Sequence, residues 1–307
     1  MSLVSIENHS ANKRLKEYKK RVDRSSGFIK GHIGEDTPHF AITLGSGLQD
    51  LVSAMDISES IPYNKIPGFP KCTADGHEGK LIIGKIEEVP IMGFQGRIHF
   101  YENAFKSNFS AMQDAVYAVN VAAGIGISNF LSTNAGGAVN KSYSSGDFMV
   151  ITTHNGLFLG SNNPLLFMNH MDFQTVHNRD KHYFLPTSKA YDKELSDMLH
   201  LSGVAAGAKM RKGVYAWVSG PNYETDGDIA ALRSMGVDAV GMSVVPECLT
   251  ALHRGMDFVA MTCITNDSNK TSHEEVKKIL NNPETKTKAA NILKNFFRAY
   301  RTEYVLF

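Results

Sequence analysis

Cysteine is scarce, tryptophan nearly absent, and neither sign of charge dominates. The chain of 307 residues has three Cys and one Trp. Cys72, Cys248 and Cys263 are far apart and show no paired-ligand spacing, which excludes a disulfide framework or cysteine-rich zinc site and fits a reducing compartment. No stretch approaches the roughly 18 apolar residues of a spanning helix. The start, Met1 to Ser10, is polar and lacks the apolar core of a secretory signal. The expectation is a cytoplasmic protein with no membrane partner. Lys+Arg number 32 against 31 Asp+Glu, so no global field favours nucleic acid. A basic run over 12–24 reads as a solvated helix face. Internal repeats and low-complexity linkers are missing too.

Apolar residues make up 42% and charged residues 21%, close to an average soluble protein and unlike disordered or collagenous chains. A chain of 33.8 kDa buries about three quarters of the surface its unfolded form exposes. Size alone allows one large domain or two. The chemical motifs run from residue 45 to residue 273, which favours one.

The patterning predicts alternating elements. A helix with a sparse apolar face covers 6–25, within an N-terminal helical extension of residues 1–30. A buried strand over 38–44 breaks at Gly45-Ser46-Gly47, and 48–55 can turn into a helix. Strands follow over 57–62, 80–86 and 89–95, then a small-residue helix over 108–124. A buried strand over 127–133 is ended by Asn134-Ala135-Gly136-Gly137. Further strands cover 147–152, 213–219, 238–241 and 257–264, between helices over 195–201, 226–235 and 245–254. The last helix starts near Ser272, breaks near Pro283 and resumes to about 301. Residues 155–191 lack periodicity, a length of irregular chain that is often a binding loop. The alternation gives an α/β protein with a largely parallel central sheet.

The polar motifs fall where strands end. Gly45-Ser46-Gly47 offers close backbone approach and an anion-binding helix start, or a tight structural turn. Arg97, His99 and Tyr101 alternate, so an extended backbone puts a guanidinium, an imidazole and a phenol on one face, suited to a phosphate beside a sugar; the alternative is a solvated strand edge with an ion pair to Glu102. Thr133 to Gly137 admits a flat ring or an anion, or is an ordinary glycine turn. Tyr223 and Glu224 offer an aromatic face and a charged acceptor to a planar heterocycle, although Glu224 alone also reads as a complement to a helix dipole. Gly241-Met242-Ser243 follows another strand, and Asn266 carries both a donor and an acceptor for a base edge. His273 sits at the next helix start.

The ordered set of Gly45-Ser46-Gly47-Leu48, Gly76-His77-Glu78-Gly79, Gln95 to Glu102, Thr133 to Gly137, Gly220 to Thr225, Gly241 to Glu247, Ile264-Thr265-Asn266 and His273 to Val276 resembles the trimeric, low-molecular-mass purine nucleoside phosphorylases from about residue 38 onward. The resemblance implies a single α/β domain whose central mixed sheet carries a small distorted barrel surrounded by helices. It implies phosphorolysis of a purine nucleoside to free base and (deoxy)ribose 1-phosphate, with phosphate as co-substrate, no metal, no organic cofactor, and a homotrimer. By the same resemblance Ser46, Arg97, His99, the Ala135 amide and Ser243 bind phosphate, under a loop bearing His77. Tyr101 and Met242 touch the ribose, and His273 its 5′-hydroxyl. Ala135, Gly137, Tyr223, Val240 and Met242 line the base, and Glu224 and Asn266 hydrogen-bond it. The catalytic set becomes His99, Glu224, Asn266 and His273.

Asn266 and Glu224 suit a 6-oxopurine. Sister methylthioadenosine phosphorylases use aspartates in the Asn266 region, and Asp267 here is adjacent to Asn266, not in its place. The chain departs from the family in three ways. Only six residues separate Asn266 from His273, a reduced lid. Ser268 brings a polar group to the base site where many relatives are apolar. The region over 162–191, from which relatives send a Phe into a neighbour's ribose site, is long and divergent; Phe173 is the first candidate for that Phe and Phe184 the second. Two rival functions share the fold: methylthioadenosine phosphorolysis, and purine binding without catalysis. A dinucleotide-dependent oxidoreductase fails for want of the full glycine fingerprint.

Overall fold

The expected alternation is realised in a computed structural model that describes residues 3–34, 36–45, 49–74, 78–171, 173, 175–177, 184–266 and 273–306. It opens with α1 (Leu3–Lys30). Leu15, Tyr18, Val22 and Ile29 recur at helical spacing and are buried, so α1 joins the main core. Next come β1 (Phe40–Leu44), a 3-10 turn over Gln49–Ala54 where an α-helix was expected, β2 (Asp56–Pro62), β3 (Lys80–Ile86) and β4 (Val89–Gln95).

The helix expected over 108–124 is divided. After the single-turn α2 (Phe100–Asn103), α3 (Asn108–Ala115) stops at Val116, whose ψ of 10° is not helical, and α4 (Tyr117–Ile125) runs on to a left-handed Gly126 at φ 107°. The chain then gives β5 (Asn129–Ala138), β6 (Phe148–Asn155), α5 (Leu165–Met168), α6 (Lys193–Ala205), β7 (Met210–Trp217), α7 (Asp226–Ser234), β8 (Ala239–Gly241), α8 (Val245–His253) and β9 (Asp257–Ile264). The break near Pro283 is real: α9 (His273–Leu280) ends before it, and α10 (Pro283–Tyr304) restarts with Asn282 accepting from the Glu284 amide at 2.8 Å.

The sheet is mixed rather than largely parallel. Its order is β2-β3-β4-β1-β5-β8-β7-β6-β9, and a further pairing of β5 with β9 closes the last five strands into a barrel. Five pairings are parallel and four antiparallel. Strand patterning shows which residues are buried but not which strand lies alongside, so direction was not readable from it.

Asn134 to Gly137 does not end its strand. Asn134, Ala135 and Gly136 pair in register with Thr262, Cys263 and Ile264, and Gly137 pairs with Val240. The glycines mark close approach within the barrel wall rather than a turn. A Cβ on Gly136 would stand 2.6 Å from the Thr262 hydroxyl.

Helices cover both faces. On one, Phe296, Phe297 and Tyr300 of α10 meet Phe40 of β1 edge-on. On the other, Tyr18 of α1 and Tyr117 of α4 pack edge-on, and Tyr117 meets Phe69. Because β4, β1, β5 and β9 are successive parallel neighbours, their carboxyl ends emerge along one edge, the place where α/β sheets bind ligands.

Candidate active site

One cavity gathers most of the expected side chains: Arg97, His99, Tyr101, Ala135, Gly137, Tyr223, Glu224, Val240, Met242, Ser243 and Asn266 all line it. Asn134, Gly136, Gly241, Thr265 and Val276 line it as well, without having been assigned roles. Ser46, His77 and Ser268 lie outside the described residues, as does the side chain of His273, whose backbone opens α9.

Arg97 follows β4 and is only 4% exposed. Its Nε donates to Glu247 Oε1 at 2.8 Å and its Nη2 to Glu247 Oε2 at 3.0 Å, a bidentate pair. Nη2 also donates to Ser132 Oγ at 2.8 Å, and Nη1 to the Thr133 carbonyl at 3.0 Å. Gly45 is required by this packing, since a Cβ there would collide with Nη1 and with the Thr133 carbonyl.

The extended run expected for Arg97, His99 and Tyr101 does not exist. β4 ends at Gln95 and Tyr101 is helical, within α2. The side chains converge because the backbone turns: the His99 and Tyr101 rings stack with centroids 5.1 Å apart. Glu102, the expected ion-pair partner, binds His99 twice, accepting from its backbone amide at 2.6 Å and from Nδ1 at 3.1 Å. It also accepts from the Thr73 amide and hydroxyl at 2.8 and 2.6 Å and from the Ala74 amide at 3.0 Å. Burial opposes its ionisation, but the hydrogen bonds from His99 and Thr73 win and bring its pKa down to about 2. An ionised carboxylate only accepts, so it holds a proton on His99 Nδ1.

Ser243 is backed by the Tyr215 hydroxyl. The same hydroxyl accepts from Asn134 Nδ2 at 2.8 Å. Gly241 leaves room for it, since a Cβ there would collide with the Tyr215 oxygen. Tyr215 was missed because an inward-facing residue of a barrel strand reads in sequence as plain core. Glu247 and Ser132 were missed differently: the first looks like a helix-start charge, the second like one small residue of a buried strand.

The alternative for Glu224 is resolved locally. The first turn of α7 already holds Asp226 and Asp228, and Thr225 caps it through reciprocal bonds with Asp228 of 3.2 Å and 2.8 Å. Glu224 instead lines the cavity, beside Tyr223. Burial raises its pKa; a backbone hydrogen bond resists that and the Asp228 charge adds to it.

Phe173 is a correction. It is 2% exposed, lies under the Arg254 guanidinium at 4.2 Å and meets Tyr18 edge-on. A ring held in its own core is not available to a neighbour. Phe184, the second candidate, is 86% exposed.

The cavity therefore combines directed cationic and hydroxyl donors with an aromatic face, a carboxylate and a carboxamide, a set suited to an oxyanion and a planar heterocycle together. Among the described residues no three His, Cys, Asp or Glu side chains gather where they could hold a metal ion. No described helix is long and apolar enough to cross a membrane.

Residues 39–298 match the family described as the phosphorylase superfamily. Purine nucleoside phosphorylase 1 of Bacillus subtilis is 38% identical over 266 residues, covering 85% of this chain and 92% of its own. The Schistosoma purine nucleoside phosphorylase crystallised with hypoxanthine superimposes with a TM-score of 0.76 at 29% identity, covering 93% of this chain and 97% of its own. The Schistosoma mansoni enzyme crystallised with adenosine gives 0.76 at 30%, with the same coverage. With a family match over most of its length, a relative at this identity and the shared barrel fold, the chain belongs to the phosphorylase superfamily and, within it, to the purine nucleoside phosphorylases.

Proposed function

We propose that the chain cleaves 6-oxopurine (deoxy)nucleosides such as inosine and guanosine with inorganic phosphate, releasing the base and (deoxy)ribose 1-phosphate in cytoplasmic purine salvage. Phosphate is the second substrate, and neither metal nor organic cofactor takes part. The observation that carries this reading is the single cavity lined by Arg97, His99 and Ser243 together with Glu224 and Asn266.

A phosphate held by Arg97, His99, Ser243 and the Ala135 amide faces the anomeric carbon. Its oxygen forms the new C–O bond as the glycosidic C–N bond breaks, and the bonding pair leaves with the purine. Positive charge grows on the sugar, where the phosphate dianion attracts it. Negative charge grows on the base, where the Asn266 carboxamide donates toward N7. Glu224 as carboxylate accepts from the N1–H of a 6-oxopurine and fixes the opposite edge. Tyr223 and Met242 flank the base and ribose. Ser46, His77 and His273 complete the phosphate and 5′-hydroxyl contacts in this reading, and Ser268 adds a polar group near the base. Phe184 takes over from Phe173 as the side chain a neighbour in a homotrimer lends to the ribose.

The test is release of free base from inosine, guanosine, adenosine and methylthioadenosine, each with and without phosphate. Phosphate-dependent turnover of inosine and guanosine is expected. Turnover of the 6-aminopurine nucleosides alone moves the assignment to the sister activity. Binding of hypoxanthine with no turnover at all makes the protein a purine-binding homologue.

A further inference from the structure

We propose that Glu247 is a positioning residue for the phosphate subsite: it fixes the Arg97 guanidinium, and so decides where Arg97 Nη1 meets phosphate. The inference rests on the phosphorolysis reading above.

Glu247 is 4% exposed, as is Arg97. The two are bonded bidentately at 2.8 and 3.0 Å, and Ser132 closes the ring by donating its hydroxyl to Glu247 Oε2 at 2.6 Å while accepting from Arg97 Nη2 at 2.8 Å. Three separate elements converge here: the loop after β4, the middle of β5 and the first turn of α8. With Glu247 on its Nε side and the Thr133 carbonyl on Nη1, the guanidinium plane cannot rotate without breaking several bonds at once.

The entry into α8 supports the same reading. Val244 has φ 72° and ψ −58°, and the Val245 amide donates to the Ser243 carbonyl at 2.9 Å. This is the rare, strained form of γ-turn, held by a β-branched residue in left-handed space. Such a conformation persists where its surroundings over-determine it. The turn sets Ser243 on the cavity and, four residues on, Glu247 behind it against Arg97.

The pair also fixes what Arg97 can offer. Its formal charge is balanced by the Glu247 carboxylate, so its contribution to phosphate is a directed Nη1 N–H rather than net charge. This separates two outcomes. Glu247→Gln leaves the local charge more positive: if charge governs phosphate binding, phosphate binds tighter; if orientation governs, it binds more weakly.

The measurement is titration of folded wild-type and variant protein with inorganic phosphate by calorimetry, alongside steady-state KM values for phosphate and for inosine. Glu247→Gln is expected to weaken phosphate about tenfold or more, with the inosine KM changed less than about twofold. Should Glu247→Gln fail to fold, Ser132→Ala leaves the ion pair and removes two bonds of the ring, one to each partner, and is expected to weaken phosphate about fivefold. Unchanged or tighter phosphate binding in the variant that folds overturns the proposal, as do equal changes in both KM values. Wild-type protein that binds phosphate yet releases no base refutes the phosphorolysis reading alone; the phosphate titration then decides the role of Glu247. Wild-type protein that binds no phosphate overturns both.

Discussion

The Arg97 side of the cavity and the Glu224–Asn266 side are built in opposite ways. Arg97 is locked by Glu247, Ser132 and Thr133, partners up to 150 positions away in sequence. Glu224 sits just before a helix whose cap is made by its immediate neighbours, and the adjacent Tyr223 is 38% exposed. Asn266 stands two residues past the end of β9. The Arg97 side is interlocked by tertiary contacts and so preorganised for a small, invariant anion. The other side is carried on short connections, where a single substitution can change what is recognised without disturbing the sheet.

That contrast predicts a graded series. The largest effect is expected from Asn266→Ala, which removes the donor proposed for the leaving purine: kcat should fall about 100- to 1000-fold with the phosphate KM unchanged. A parallel rise in the phosphate KM breaks the division between the two sides. Asn266→Asp should move the inosine-to-adenosine ratio of kcat/KM toward adenosine, and an unchanged ratio removes Asn266 as the specificity residue.

Next comes pH. The Glu224 pKa is raised, chiefly by burial. As pH falls through that raised value the carboxylate is protonated and stops accepting, so the inosine KM should rise on the acid side. Glu224→Gln should abolish that acid limb. The folded state meanwhile favours protonated Glu224, a stabilisation present below the unfolded pKa and lost as pH rises through the raised one. The Gln variant should therefore be no less stable than wild type at pH 7, and a fall in Tm there contradicts the burial argument.

Glu102 has the opposite sign. Its pKa is depressed to about 2 by hydrogen bonds that outweigh burial. Its stabilisation is present above the unfolded carboxylate pKa of about 4.3 and is lost as pH falls through the folded value. Glu102→Gln should lower Tm by about 2–4 °C at neutral pH, with the difference shrinking toward acid. A difference that persists at the lowest pH assigns the effect to packing instead. The smallest effect is expected from Phe184→Ala, a rise of a few-fold in the nucleoside KM with no change for phosphate; equal KM values exclude Phe184 from the role proposed for it at a neighbour's ribose.

Much of the site was legible in sequence because its motifs are short and local. Arg97 with His99, Tyr223 with Glu224, and Met242 with Ser243 each arrive on one connection, and all line the cavity. The backbone path that joins them was not legible there. Alternation suggested an extended run at 97–101, whereas the chain turns into α2 and brings His99 and Tyr101 together by stacking. Phe173 was offered for a neighbour's site by resemblance, from a region without periodicity, yet Arg254 and Tyr18 draw it into the core.

By itself the sequence determined the alternation of strands and helices, the balanced charge and the set of polar groups, since these depend on residue type and near-neighbour spacing. Only the tertiary structure decided that β5 runs on through Gly136 and Gly137 into the barrel wall, that four of the strand pairings in the mixed sheet are antiparallel, and that Glu247 and Ser132 stand behind Arg97. The physical reason is the same in each case. Strand neighbours and buried ion pairs are chosen by contacts between distant segments, and the energies that select them exist only once the sheet has closed.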